Sequence, residues 1–329
     1  MPRARKAIII AAGLILFSVA AITYVLPRIV IGINGRVFSY FLKDYSFDTL
    51  NTPEKLGLNF KEFTTISRDN LKLKSILVLA DSSNEKGTII FLHGIRRHKE
   101  QFLPVAKLLS ERGFNSLIPD LRSHGESEGK YITYGYFEKQ DVCDLIDSVI
   151  IREKLKGGIG IWGQSMGAAI AMQAMAIDDR IDYGILESTF SDLPKTVKDY
   201  LKRDLRFYFD WIGEFSVWRA GKIAGFNLQE ISPLKIAGNI SKPILMVHGK
   251  LDKKININDA VDVFKRLSSP EKEFLTIPSA GHLDVWEKGG QKYFNSVFEF
   301  IESLSAVFNS QPEAQKRRLS KNCFQTASK

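Results

Sequence analysis

Gly163-Gln164-Ser165-Met166-Gly167 is the pentapeptide in this chain best suited to covalent chemistry. It follows an apolar run, Ile159 to Trp162, and opens an alanine-rich stretch, so Ser165 is expected in a tight turn from strand to helix. Only small neighbours avoid collision in such a turn. The hydroxyl is pushed outward, and the helix amino terminus aims N–H groups at developing negative charge. By composition alone a G-x-S-x-G match arises roughly once in ten chains of this length, so the surrounding residues must decide its meaning.

A serine hydroxyl is inert without a base, and the base needs an orienting partner. The chain has five histidines. His93 and His248 end apolar runs, in Leu92-His93-Gly94 and Val247-His248-Gly249, where turning the chain out of a sheet is their expected role. His98 and His124 lie in loops upstream of Ser165. With the serine in a strand-to-helix turn, the partners follow in the order Ser, then Asp or Glu, then His, and His282 is the histidine that can come last. Asp252, four residues beyond the strand ending at Val247-His248, fits the acid. Asp259 and Asp262 fall on the next helix, and Glu187 and Asp192, after the preceding strand, remain alternatives. An oxyanion needs two backbone donors. Met166 N–H, beside the serine, is one, and Ile95 N–H, after His93-Gly94, is the other.

These residues need a scaffold of alternating strands and helices. Strands are expected at Glu62–Ser67, Leu71–Ala80, Gly87–Leu92, Phe114–Pro119, Gly158–Trp162, Tyr183–Glu187, Pro243–His248 and Phe274–Pro278. Helices are expected at Lys99–Arg112, Lys139–Leu155, Ser165–Ala176, Asp259–Leu267 and Gln291–Phe308. The alternation predicts an α/β fold around a mostly parallel sheet, with the first two strands as an antiparallel hairpin at one edge. Between Phe190 and Pro243 the rhythm breaks, and that stretch is rich in aromatics, among them Tyr208, Trp211, Phe215 and Trp218. It is either a helical pair packed on the core or a lid, near 191–226, whose Tyr208 and Trp211 touch an apolar substrate. The polar end, 309–329, reads as a flexible basic tail.

The chain of 329 residues, 44% hydrophobic and 25% charged, is long enough for one large domain with a sizeable core. Its net charge of +9 is spread out, with small clusters at 3–6, 96–97 and 316–318. Zinc-finger spacing and RNA-binding signatures are missing, so nucleic acid is not the expected partner. The two cysteines, Cys143 and Cys323, suggest neither a disulfide scaffold nor a metal framework. Twenty residues, Ala7 to Leu26, carry no charge and as a helix span about 30 Å, a bilayer's hydrocarbon thickness. An uncleaved membrane anchor is the expected reading. A cleaved signal peptide ending near Ala20 and a buried core helix are the rivals. Residues 28–58 then form a connector. Arg3, Arg5 and Lys6 favour a cytoplasmic amino terminus and an extracytoplasmic domain, although Arg28 and Arg36 flank the other end.

From about Glu62 to Phe308 the chain resembles an alpha/beta-hydrolase of the monoacylglycerol-lipase-like and serine-aminopeptidase-like branch, and membrane-tethered bacterial hydrolases within it. Four separated motifs carry the resemblance: Leu92-His93-Gly94; Asp120-Leu121-Arg122-Ser123-His124-Gly125-Glu126-Ser127; the serine pentapeptide; and His248-Gly249-Lys250-Leu251-Asp252 with Gly281-His282. The second matches D-x-R-G-H-G-x-S with Ser123 where glycine is usual, and its polar residues are implied to brace the site rather than react. The resemblance implies an alpha/beta-hydrolase fold, a Ser165–His282–Asp252 triad and acyl transfer without metal or organic cofactor. The expected substrate is a small acyl ester or thioester. A peptidase, an acyltransferase and a non-catalytic scaffold of the same fold are the alternatives. Arg96, beside the oxyanion residue, either contacts an anionic substrate group or is solvated. Oligomeric state is left open.

Overall fold

The structure, a computed structural model, describes residues 3–32, 51–82, 84–153, 155–204, 209–282 and 284–309. Tyr208, most of the 28–58 connector and the basic tail beyond Asn309 lie outside the described residues.

Eight strands form one sheet: β1 (Phe60–Ile66), β2 (Lys72–Val78), β3 (Gly87–Leu92), β4 (Phe114–Pro119), β5 (Gly158–Gln164), β6 (Ile181–Glu187), β7 (Ile244–Gly249) and β8 (Lys272–Ile277). Their spatial order is β1-β2-β4-β3-β5-β6-β7-β8. The expected hairpin lies at one edge, with β1 and β2 antiparallel across a turn in which Asn70 is left-handed at φ 64°. β2 is also antiparallel to β4, and every pair from β4 to β8 is parallel.

The central strands are apolar on both faces because both faces are covered. In β3, Ile90 and Leu92 join one buried cluster while Ile89 and Phe91 join the other. The first cluster receives helices α4 (Glu138–Glu153), α5 (Met166–Met175) and α8 (Ile257–Arg266). The second receives α3 (Leu103–Ser110) and α9 (Val285–Asn309), the latter kinked at Gly290. The predicted helix over 99–112 is in fact a 3₁₀ turn, Lys99–Phe102, followed by α3. Pro104 at the head of α3 has no N–H for the preceding turn, so the α-helix starts there.

β3 pairs with β4 on one side and β5 on the other, and α3 and α4 cover opposite faces. β3 leads into α3 on one face and its neighbour β5 into α5 on the other, so the loops leaving these strands diverge. The carboxyl ends of such a pair are where ligands settle in the crevice of open α/β sheets. Between β6 and β7 stand two packed helices, α6 (Leu193–Asp204) and α7 (Asp210–Ala224).

The amino-terminal helix α1 (Arg3–Ala20) passes through one π turn, Ala21–Val25, into α2 (Leu26–Ile31). The π turn sits where Pro27 has no N–H to return to the carbonyl of Thr23. Arg5–Ile31 is long and apolar enough to cross a membrane, and its side chains from Ile8 to Phe17 project away from the body. That overturns the buried-core-helix alternative. The helix also runs past Leu26, where a connector was expected, and its last turn buries Pro27, Val30 and Ile31.

Candidate active site

The turn after β5 has the shape that the pentapeptide requires. Ser165 stands at φ 54°, ψ −114°, a conformation that costs an L-residue on the order of 1–3 kcal/mol and persists only where its surroundings enforce it. The enforcement is visible at the two glycines. A Cβ on Gly163 would lie 2.3 Å from the Gly167 carbonyl oxygen, and one on Gly167 would lie 2.0 Å from that of Leu92. The chain thus doubles back on itself against the end of β3. Ser165 N–H is fastened to the Glu187 carbonyl at 2.8 Å, and the Ser165 side chain is left half-buried and reachable.

His282 arrives from the loop after β8. Its Nε2 is 2.9 Å from Ser165 Oγ, and its Nδ1 is 2.7 Å from Asp252 Oδ2. The Asp252 side chain is fully buried. Its other oxygen, Oδ1, accepts the N–H groups of Lys254 at 2.8 Å and Ile255 at 2.9 Å. Burial works to raise the Asp252 carboxyl, but the hydrogen bond and charge of His282, with those two N–H groups, hold it below the ordinary aspartate range. An ionised Asp252 requires the proton of neutral His282 on Nδ1, which leaves Nε2 as an acceptor facing Ser165.

Two backbone N–H groups belong to segments beside Ser165. Met166 N–H is the first of α5, with no carbonyl one turn earlier to receive it. Gly94 approaches Ser165 so closely that an added Cβ would be 3.5 Å from Ser165 Cβ. Beyond Gly94, Arg97 N–H donates to the Gly94 carbonyl at 3.2 Å and Arg96 N–H to His124 Nε2 at 3.1 Å. Ile95 N–H has no acceptor among the described residues.

His93 and His124 brace this loop. His124 Nδ1–H donates to the Arg122 carbonyl at 3.0 Å, so its Nε2 is free to accept from Arg96. His93 Nδ1–H donates to the Gly94 carbonyl at 2.8 Å while its Nε2 accepts Leu121 N–H at 3.0 Å. Burial drives both imidazoles down, His93 to about 3. Behind them Asp120 accepts from Lys99 Nζ at 2.7 Å, and Arg122 grips Asp141 through Nε at 2.6 Å. Ser123, at φ 65°, occupies a left-handed position and its buried hydroxyl has no partner, which explains why glycine suits that place.

The other acids are engaged elsewhere. Glu187, buried at the end of β6, accepts from Trp162, Trp286, Tyr293 and Gln164, tying the strand before Ser165 to the helix after His282. Burial raises its carboxyl, and those four donors work against that rise. Asp192 caps α6 by accepting Lys195 N–H, and Asp259 accepts from Ser191 Oγ and Lys195 Nζ at the root of the same helix. The Glu187 hub carried no periodic or motif signal, because its four donors come from two elements far apart in sequence, β5 and α9. Arg96 is half-buried at φ 60°, and its charge bears on the Tyr134 hydroxyl. Trp211 is exposed in the first turn of α7, and Tyr208 lies outside the described residues. Among the described residues no cluster of His, Cys, Asp or Glu is arranged to hold a metal ion.

Comparison with known proteins agrees with this architecture. Residues 83–223 match the family model described as serine aminopeptidase, S33. The protein YqkD of Bacillus subtilis is 26% identical over 310 residues, covering 91% of this chain and 98% of its own length. The AB hydrolase superfamily protein YisY of the same organism is 26% identical over 261 residues, 68% of this chain and 91% of that one. Among solved structures, an esterase of Pyrococcus furiosus superposes with a TM-score of 0.65 at 25% identity, covering 77% of this chain and 94% of the esterase. Sheet order, strained serine turn and these relatives agree: the chain has the alpha/beta-hydrolase fold and is similar to members of that superfamily.

Proposed function

We propose that this hydrolase is a serine esterase or thioesterase acting on acyl substrates, with Ser165 as nucleophile, His282 as base and Asp252 as its orienting acid. The observation that carries the reading is the unbroken relay from Ser165 Oγ through the His282 ring to a buried Asp252, set on a strained turn. Ser165 Oγ attacks the acyl carbonyl carbon as its proton passes to His282 Nε2. The carbonyl oxygen takes up the electron pair and negative charge between Ile95 N–H and Met166 N–H. When the tetrahedral centre collapses, the bond to the leaving alkoxide or thiolate breaks and that group receives the proton from His282. Water then attacks the acyl-serine, gives its proton to His282, and the carboxylic acid departs as Ser165 is reprotonated. The residues in place complete this cycle without a cofactor.

The helical pair α6–α7 is the proposed lid over the crevice, and the amino-terminal helix the proposed uncleaved anchor. Arg3, Arg5 and Lys6 before the span favour an extracytoplasmic catalytic domain. The match to a serine-aminopeptidase family model favours a second reading, cleavage of an amide at a peptide amino terminus. Parallel assays on acyl esters and aminoacyl amides separate the two.

A fluorophosphonate probe tests the nucleophile. The wild type should be labelled and Ser165→Ala should not. Equal labelling of the variant would place the reactive serine elsewhere, and no labelling of folded wild type would leave a binding protein of this fold.

A further inference from the structure

The end of the amino-terminal helix packs on the body of the protein. Tyr134 donates its hydroxyl to the Val30 carbonyl, and Ile132 N–H donates to the Ile31 carbonyl at 3.0 Å. Val30 and Ile31 are buried in the same apolar cluster as Met166 and the lid residues Val217 and Ala220. Along its other side α2, with part of the π turn, packs against α7. The end of the span and the lid are therefore one packed unit.

This contact sets the depth of the lid. A hydrocarbon core about 30 Å thick is crossed by about twenty helical residues, which takes Ala7 at one face to Leu26 at the other. Since α7 packs against residues 21–31, it lies at the level where the helix passes from hydrocarbon into headgroups. The side chains that α7 presents suit that level. Trp211 and Trp218 are 57% and 55% exposed and lie two turns apart on one face, with Phe209 at 62% just before the helix. Tryptophan and tyrosine favour this layer of a membrane, where one end of the ring is apolar and the other wet. Tyr24 is exposed at the same level with the Arg28 guanidinium over its ring, and Lys222 follows Trp218 by one turn on the outer face of α7. The other large exposed apolar side chains of the described body, Ile66, Ile151 and Leu251, stand singly on separate elements.

We propose that the outer face of α7 is a membrane-docking surface, resting in the headgroup layer of the leaflet from which α2 emerges, so that lipid acyl esters reach Ser165 from the bilayer. The surface rests on the span being retained, and its link to catalysis rests on the serine-hydrolase reading above. Rigid packing of α2 on α7 holds the lid at the lipid boundary.

The test uses the full chain reconstituted in phosphatidylcholine vesicles whose acyl chains carry bromine near the headgroup. Of the four tryptophans, Trp162 is buried in the core and Trp286 packs against it, which leaves Trp211 and Trp218 within reach of the bromine. Brominated lipid should quench the wild type, and Trp218→Phe should lose about half of the quenchable emission. Emission indifferent to bromine, or equal quenching in the variant, overturns the docking surface whether or not the protein is active. The second arm compares esters. Phe209→Ser/Trp218→Ser should hydrolyse a long-chain ester embedded in vesicles about tenfold more slowly while keeping a short water-soluble ester within about twofold. Equal loss on both esters, or none on either, overturns the delivery route. Quenching without fluorophosphonate labelling of Ser165 would remove the hydrolase reading and leave the surface standing, and labelling without quenching would do the reverse.

Discussion

At the scale of single residues, Asp252 decides which way the imidazole points. Its Oδ1 is committed to two N–H donors and its Oδ2 to His282. An asparagine would keep its carbonyl oxygen toward the backbone donors and turn its NH₂ toward His282 Nδ1. The imidazole would then carry its proton on Nε2 and could not accept one from Ser165. Asp252→Asn should lower kcat by about four orders of magnitude with KM little changed, read from steady-state kinetics on a short ester. A loss under tenfold would mean that another group orients His282. Ser123 makes the opposite kind of prediction. It holds a left-handed conformation that costs about 1–2 kcal/mol for a residue with a Cβ, and glycine returns only part of that gain as chain entropy. Ser123→Gly should therefore stabilise the fold by roughly 0.5–1 kcal/mol, measured as a shift in the denaturation midpoint. An unchanged or lowered midpoint would show that the side chain contributes something its unpartnered hydroxyl does not reveal.

At the scale of elements, the site depends on how closely three strand ends approach one another. Gly167 lies against the carbonyls of Leu92 and His93, so the first turn of α5 rests directly on the end of β3 and brings Met166 N–H beside the loop that carries Ile95. Gly167→Ala would drive a methyl group into fixed backbone. It should destabilise the protein by about 3 kcal/mol or more and abolish labelling of Ser165 even in the fraction that still folds. Normal labelling would mean that β3 and α5 can separate without harm. Glu187 joins the same region from behind, linking Gln164 of β5 to Trp286 and Tyr293 of α9. The strand before Ser165 and the helix after His282 thus share one buried carboxyl group, which ties the two together.

At the scale of the whole molecule, buried histidines, His93 and His124 among them, make stability depend on pH. His93 and His124 stay neutral in the folded protein well below the ordinary histidine range, because burial disfavours the charged ring and each Nε2 already accepts an N–H. Unfolding exposes them, and they bind protons below about pH 6.5. The unfolded state then holds more protons than the folded one. Stability is full above that value and falls as pH drops from about 6.5 toward 3, by roughly 1.4 kcal/mol per pH unit for each histidine. Urea midpoints of the detergent-solubilised chain at pH 7 and pH 5 should show the decline, and His124→Gln should make it shallower. Equal midpoints at the two pH values would mean that the pair is solvated or already charged in the fold.

Much of this protein was legible because the relevant signals are local. The two-sided apolar runs of β3 and β5, the glycines around Ser165 and the chain order of Ser165, Asp252 and His282 each express a constraint acting within a few residues of the signal. From these came the α/β sheet, the edge hairpin and the three residues that the fold brings together. What the tertiary structure alone decided involves partners far apart in sequence. Ser165 and His282 meet across 117 positions. Glu187 receives donors from β5 and α9, and the two bracing histidines are driven neutral only when the completed fold buries them. The end of the amino-terminal helix is the clearest case. Its composition predicts an apolar span ending at Leu26 with a connector after it, whereas the helix continues to Ile31, where its end packs against Tyr134 and α7. Side-chain period and turn chemistry are written in adjacent residues, whereas burial, charge state and docking depend on which surfaces the completed fold presses together.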